Sequence, residues 1–404
     1  MPDDVLPLLD RKPALERALS LGASCSQCPL ADKLGPVYFK PKASSPAYSF
    51  DVTIVAERPG DTELGKGEPL AGRSGWLLQK MLKEMHVKYS EVHLTNATLC
   101  TTRTLLQEKD WSNAVNCCRP RLANELGNKR LQLVFLLGKR ALQSVTGKDS
   151  IKAWRGFPVS PLELFDHENT IYFPTYHPSH ILREPAYAGV WKLDFQRAFA
   201  YAAGRLKPVE WPETLIEDED ETIARLEHLL THEVEKRVTK LATDVETAGK
   251  EPLLAKMLCQ SIAVKEYAIC LPRHSVHPEA WPLWKRILEH RNAWIVAQNG
   301  IHDTLSYEIN GIDIEVDFDT LAAARVLMPN VDKDLGSLAT YFYFIARHKS
   351  QYRKGGEADT KGEASWEKDS LDPVRAKQQR IYCARDSWTT LMIEEPLTRM
   401  LEGV

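Results

Sequence analysis

The polar and apolar positions of this chain change rhythm several times. In the first half, four apolar runs alternate with amphipathic stretches: DVTIVAE (51–57), VHLTNATLC (92–100), LQLVFLLG (131–138) and TIYFPTYH (170–177). Runs that stay apolar on consecutive positions predict strands covered on both faces, the habit of a parallel sheet between helices. A helix-like stretch, WKLDFQRAFAYAAGRL, closes this half. The segment LKPVEWPETLIEDEDET (206–222) follows, with two prolines and a run of acids, and predicts a linker. A new amphipathic stretch, ETIARLEHLLTHEVEKR, opens the second half. Next, KLATDVET, MLCQSIAV and YAICLP predict three strands in succession, followed by a helix, WPLWKRILEH, and a further strand, AWIVAQN. Strands in a row and then strand–helix alternation predict a mixed sheet. Residues 348–370 are polar and glycine-bearing and predict a long surface loop. The expectation is an α/β chain: residues 1–205 form an α/β/α domain on a parallel sheet, 206–222 a linker, and 223–404 a domain on a mixed sheet.

Composition narrows the setting. A length of 404 residues favours two cores over one, and 43% hydrophobic with 26% charged residues describes a globular protein in water. No apolar run reaches the eighteen or so residues of a membrane span. The N-terminus, MPDDVLPLLD, lacks the basic-then-apolar order of a signal peptide. The expected location is the cytoplasm, with no membrane partner. Structural disulfides are rare there, so the eight cysteines need another use. Residues 1–205 hold 27 Lys and Arg against 21 Asp and Glu, which suits a polyanion partner. Residues 206–404 hold 25 against 34, which suits carboxylates gathered around metal ions.

Candidate chemistry in the second half begins with Asp244 and Glu246 at the end of a predicted strand. Alternation points both side chains to one face. Two carboxylates about 4 Å apart repel by roughly 1 to 4 kcal/mol and call for a proton, a base or a cation. VAQNGIHDTL adds Asn299 and Asp303, expected four apart on one helical face. IYCARDSWTTL adds Tyr382 and Asp386 at the same spacing. These motifs, in this order, resemble the 3′–5′ exonuclease domains of the DEDD type with tyrosine in the third motif, as found in family A DNA polymerases. The stretch FDTLAAARVLMPNVDKDLGSLATYF resembles the helical region of that family, and the likeness covers about 235–404. The resemblance implies an RNase H-like fold in which Asp244, Glu246, Asp303 and Asp386 hold two Mg²⁺ or Mn²⁺ ions. It implies further that Tyr382 orients the attacking water and that Asn299 positions the second motif or the strand. Only eighteen residues follow Asp386, so the expected polymerase is a separate partner.

In the first half, Cys25 and Cys28 form a C-x-x-C, with Cys100, Cys117 and Cys118 far downstream. Zinc and an iron–sulfur cluster both accept such a layout; a redox pair fits less well, because this C-x-x-C precedes the first strong strand. The ordered neighbours VAERPG (55–60), GEPLAGRSGWLLQKML (67–82), LTNATLC (94–100), CRPRLANEL (118–126), FLLGKRAL (135–142) and FPTYHPSHILR (173–183) together resemble family 4 uracil-DNA glycosylases, over about 20–205. The resemblance implies a 4Fe-4S cluster on Cys25, Cys28, Cys100 and Cys118, the last chosen by matching C-R-P. It implies a pocket for a flipped uracil in which Asn96 reads the base edge and His177 donates to the leaving uracil's O2. Glu57, Pro59 and Gly60 form the water- and sugar-side loop. Two positions depart from the family pattern: Arg58 stands where a small residue is usual, and Leu70 replaces a stacking phenylalanine. Two readings follow. One is a DNA-processing protein of replication or repair, cellular or viral, with exonuclease and glycosylase-like modules. The other is an exonuclease whose first half binds DNA or a modified base without cleaving it. Cys259, Cys270 and Cys383 are expected to be buried thiols.

Overall fold

The computed structural model describes residues 12–31, 48–102, 106–127, 132–217, 219–249, 251, 253–275, 277–347 and 372–403. The surface loop expected over 348–370 lies outside the described residues. The chain divides into two compact units, with the boundary between Lys207 and Pro208.

The first unit is built on four strands: β1 (Asp51–Ala56), β2 (Val92–Asn96), β3 (Gln132–Leu137) and β4 (Thr170–Thr175). Their order is β2-β1-β3-β4, and every neighbouring pair is parallel. All residues of β1, β2 and β3 are buried, the physical reason their sequences are mostly apolar, with polar side chains such as Thr53 and Gln132 hydrogen-bonded to each other inside. Val134 and Leu136 of β3 pack with Leu122, Leu126, Leu142 and Val145 from the helices Glu108–Leu126 and Lys139–Thr146. Phe135, pointing the other way, stacks on Phe195 of the helix Ala188–Ala202 at 4.3 Å between ring centroids. Two strands are shorter than their apolar runs: β2 stops at Asn96 and β4 at Thr175. The residues just beyond them turn into loops at the carboxyl edge of the sheet, where α/β folds place their ligands.

The second unit has a six-stranded sheet. Its strands are β5 (Glu213–Leu215), β6 (Thr239–Thr247), β7 (Met257–Ala263), β8 (Tyr267–Pro272), β9 (Ala293–Ala297) and β10 (Val316–Asp319). The order is β10-β9-β6-β7-β8-β5. The pairs β6–β7 and β7–β8 are antiparallel, and β5–β8, β6–β9 and β9–β10 are parallel.

Two expectations need correction here. The linker expected over 206–222 contains β5, and the helix Asp220–His228 begins inside it. Leu215 and Ile216 pack into the cores of the second unit, which ties the segment down despite its prolines and acids. The stretch 318–342, read as helical, starts within edge strand β10. Helix begins only at Thr320, where the Asp319 carboxylate accepts N–H bonds from Leu321 and Ala322 at 2.8 and 3.1 Å. The long C-terminal helix Pro373–Glu402 lies on the sheet and buries Cys383, Ala384, Trp388, Ile393 and Leu397. Among the described residues, no helix is long and apolar enough to cross a membrane.

Candidate functional site

In the second unit the site grows from β6. Asp244 and Glu246 lie on one face of the strand, opposite Ser261 and Cys259 of β7, while Val245 points into the core. The helix Pro373–Glu402 brings Tyr382 and Asp386 to that face, one turn apart. Carboxylate oxygens of Asp244, Glu246 and Asp386 all lie within 4.8 Å of one another. Asp386 is 4% exposed, so this charge is concentrated in a poorly hydrated place. Burial and the carboxylates of Asp386, Glu246 and Asp244 hold the Tyr382 phenol well above its ordinary range, and it stays protonated.

Asp303 reaches the same strand from the helix Gly300–Ile309 but stands outside the 4.8 Å group. Its Oδ1 accepts the Val245 N–H at 3.1 Å. Burial raises its pKa well above the carboxylate range, aided by Glu246 and Asp319. Asn299 is corrected in one respect. It does not share a helical face with Asp303, because it precedes the helix in the left-handed conformation, φ +65°. Asparagine tolerates that conformation, and the Asp319 carboxylate takes the N–H groups of Asn299 and Gly300 at 3.2 and 2.9 Å. The donor set fits hard divalent cations: three carboxylates whose oxygens crowd within 4.8 Å of one another.

The sequence did not show that Cys259, Cys270 and Cys383 meet. Their thiols lie within 4.8 Å of one another beneath the C-terminal helix, and none is more than 2% exposed. Cys383 contacts the Asp244 carbonyl at 3.5 Å, directly behind the carboxylates.

In the first unit the expected residues gather at the carboxyl edge. Glu57 follows β1, and its Oε1 accepts the Arg140 N–H at 3.1 Å at the start of the helix Lys139–Thr146. Gly138 must be glycine there: its φ is +91°, and a Cβ would come 2.6 Å from the Glu57 Oε1. Asn96 ends β2 at 2% exposure, and its Nδ2 has no hydrogen-bond partner among the described residues. A buried unpaired amide donor is costly unless a ligand uses it. His177 caps the helix Pro178–Arg183, where its Nδ1 accepts the Ser179 N–H at 3.2 Å. A backbone N–H can only donate, so the ring proton sits on Nε2. Burial lowers the His177 pKa against the opposing charges of Glu57 and Glu63, which keeps the ring neutral at pH 7.

The two unusual residues each make their own local contacts, and the Arg58 charge still acts on His177. Arg58 donates to the Thr101 Oγ1 at 2.6 Å and lies over the Trp111 ring at 5.1 Å. Leu70 is buried in the left-handed conformation, φ +53°, with its carbonyl accepting from the Tyr89 hydroxyl at 3.0 Å. Glu63 and Arg121 were not singled out by sequence. Glu63 accepts the N–H groups of Gly60 and Gly72 at 3.1 and 3.0 Å and ties the two ends of the loop together; its signal was the G-x-x-E spacing that opens a helix. Pro59 precedes that clasp. Arg121, fully buried, donates to the carbonyls of Asn96 and Ala97 at 2.7 and 3.1 Å; one arginine among many carries no such signal.

The early cysteines come from a single 3₁₀ turn (Cys25–Gln27, with Cys28 following), from the loop after β2, and from the helix Glu108–Leu126. Burial raises the thiols of Cys25, Cys28 and Cys100, the last two to about 12. In all three the strongest thiol neighbour is Cys118. Burial and the neighbouring Cys118 also raise the Cys117 thiol. Among the described residues, no three of these thiols come within 4.8 Å of one another.

Comparison with known proteins agrees with this division. The uracil DNA glycosylase superfamily matches residues 44–200, and the 3′–5′ exonuclease family matches residues 215–402. The type-4 uracil-DNA glycosylase of Sulfurisphaera tokodaii is 26% identical over 193 residues, covering 46% of this chain and 83% of that protein. The same enzyme from Pyrobaculum aerophilum is 27% identical over 203 residues, covering 46% and 93%. Among solved structures, the catalytic core of RRP6 from Trypanosoma brucei aligns with a TM-score of 0.35 and 18% identity, over 49% of each chain. The chain thus spans about half the length of that structure. RNase D of Escherichia coli aligns with a TM-score of 0.34 and 16% identity, over 48% of this chain and 46% of that one. The chain therefore joins a domain of the uracil-DNA glycosylase superfamily to a 3′–5′ exonuclease domain.

Proposed function

We propose that the protein processes DNA with two separate active sites, a 3′–5′ exonuclease in the second unit and a uracil-excising pocket in the first. The convergence of Asp244, Glu246 and Asp386 within 4.8 Å carries this reading. Those three and Asp303 would hold two Mg²⁺ or Mn²⁺ ions, which supply an activated water and stabilise the leaving 3′ oxygen. Tyr382, held protonated, orients the water through its hydroxyl. Asn299 positions the strand beside the second motif. A trimmed 3′ end suits a separate DNA polymerase as partner.

In the first unit, Asn96 offers its unpaired Nδ2 to an acceptor on the uracil edge. His177 donates its Nε2–H to O2 as negative charge builds on the leaving base. Glu57, Pro59 and Gly60 line the sugar side. The unpaired Nδ2 of buried Asn96 favours a pocket that takes a base. Cys25, Cys28, Cys100 and Cys118 would hold a 4Fe-4S cluster that pins the loops around β2. A tetrahedral zinc with sulfur about 2.3 Å away draws four thiolates to within about 4 Å of one another.

The test uses the full chain on labelled oligonucleotides. Nucleotide release from 3′ ends should require Mg²⁺ or Mn²⁺ and fall by roughly a thousandfold in Asp244→Ala/Glu246→Ala. Abasic product from uracil-containing DNA should vanish in His177→Ala while exonuclease activity persists. Full nucleotide release by the double variant would overturn the exonuclease assignment. Bound zinc in place of iron would overturn the cluster.

A further inference from the structure

The helix Arg73–Glu84 begins just past the loop that carries Leu70. Its Gly75 packs against the Leu70 carbonyl, and its residues contact the helix Pro178–Arg183, whose cap is His177. One stripe of this helix plays no part in the chemistry above. Arg73, Trp76, Lys80 and Lys83 follow one another at three- and four-residue steps, which places them on one face. All four are exposed. Trp76 is 56% exposed, the only tryptophan among the described residues with more than half its surface in water. The Lys80 ammonium sits 3.7 Å from the ring centroid. The helix's sole acid, Glu84, is engaged by Lys192 at 2.8 Å, so the stripe is basic and aromatic without an opposing carboxylate of its own.

We infer that this stripe binds the DNA strand beside the nucleotide entering the pocket, with Trp76 stacking on a neighbouring base. The inference rests on the reading of the first unit as a base-flipping module. An exposed indole with cations at helical spacing on either side matches a strand that alternates aromatic faces and phosphates. Ten residues of helix span about 15 Å, the length of roughly four nucleotides of one duplex strand. When a base takes one face of the indole, Lys80 remains on the ring or turns to the adjacent phosphate. Trp76 would also offer, next to the pocket, the aromatic surface that Leu70 does not.

A covalently closed single-stranded DNA circle tests this on the full chain, because it offers the exonuclease unit no 3′ end. With 5-iodouracil in the circle, irradiation should cross-link the peptide containing Trp76. Trp76→Ala should weaken binding of the circle roughly 5- to 100-fold, and Trp76→Phe should retain most of it. Lys80→Gln/Lys83→Gln should lower the salt dependence by about 1.4, at about 0.7 per phosphate contact. Near-ultraviolet circular dichroism and urea midpoints of the full chain should match wild type in these variants and so report folding of the first unit. If Trp76→Ala fails that control, the phenylalanine and double-lysine variants decide. Unchanged binding and salt slope, with cross-links elsewhere, would overturn the inference. So would a Trp76→Ala variant that separates two copies of the chain while binding DNA normally. Failure to release uracil, with the cross-link and salt slope intact, would count against the pocket's chemistry and leave the strand-binding face standing.

Discussion

Gly75 has no room for a side chain. A Cβ there would stand 1.6 Å from the Leu70 carbonyl oxygen, whereas one at Gly189 would meet nothing within 4 Å. Gly75→Ala should therefore cost about 1–3 kcal/mol or more, and Gly189→Ala, inside the helix Ala188–Ala202, should gain about 0.5–1 kcal/mol. Urea midpoints of the two variants check both signs. His177 gives a pH prediction. Its pKa is lowered by burial from 6.5, so the unfolded chain takes up this proton at a higher pH than the folded one. This group's contribution to stability is thus complete above pH 6.5 and is lost as pH falls through the lowered folded value. Uracil release should stay level down to pH 6.5 and decline only below it, since a proton on Nδ1 would face the Ser179 N–H. A decline already centred at or above pH 6.5 would contradict this. Asn96 and His177 were candidates in the sequence through their motifs. The unpaired donor of one and the tautomer of the other were not legible there, because both depend on atoms brought in by the fold.

At the scale of elements, the apolar runs foretold β1 and β3 well, since strands covered on both faces carry consecutive apolar residues such as Ile54–Val55 and Leu133–Leu137. Short edge strands were harder. Three residues of β5 and four of β10 carry too little pattern to be seen, and each forms because a longer strand is already there to pair with it. The cysteines of the second unit make the same point: they lie far apart in sequence, on β7, β8 and the C-terminal helix, and meet only in the fold. Hydrogen bonding to Cys270 together with burial raises the Cys259 thiol, and burial raises Cys270 and Cys383. In native protein treated with a metal chelator, a thiol reagent should label no more than five of the eight cysteines until denaturant is added. Rapid native labelling of a peptide containing Cys383 would show the joint under that helix to be open.

For the whole molecule, the two units use different chemistry and should separate cleanly. Chelation of divalent cations should stop nucleotide release and spare uracil release, a comparison made on one doubly labelled oligonucleotide. Mg²⁺ should also raise the melting temperature of the full chain, because it relieves carboxylates that repel one another when metal-free. Loss of both activities together on brief chelation would argue against independent sites. Sequence alone determined the two-part organisation and the sheet classes, and it nominated candidate residues for each site. Those features are written in local periodicity and in short motifs whose spacing survives without knowledge of the fold. Only tertiary structure decided where the expected linker became a strand, that Arg58 turns onto Thr101 and Trp111, that Arg121 reaches the carbonyls of Asn96 and Ala97, and that three late thiols share one corner of the core. Each of these depends on distances between residues remote in the chain, which packing sets and no local pattern encodes.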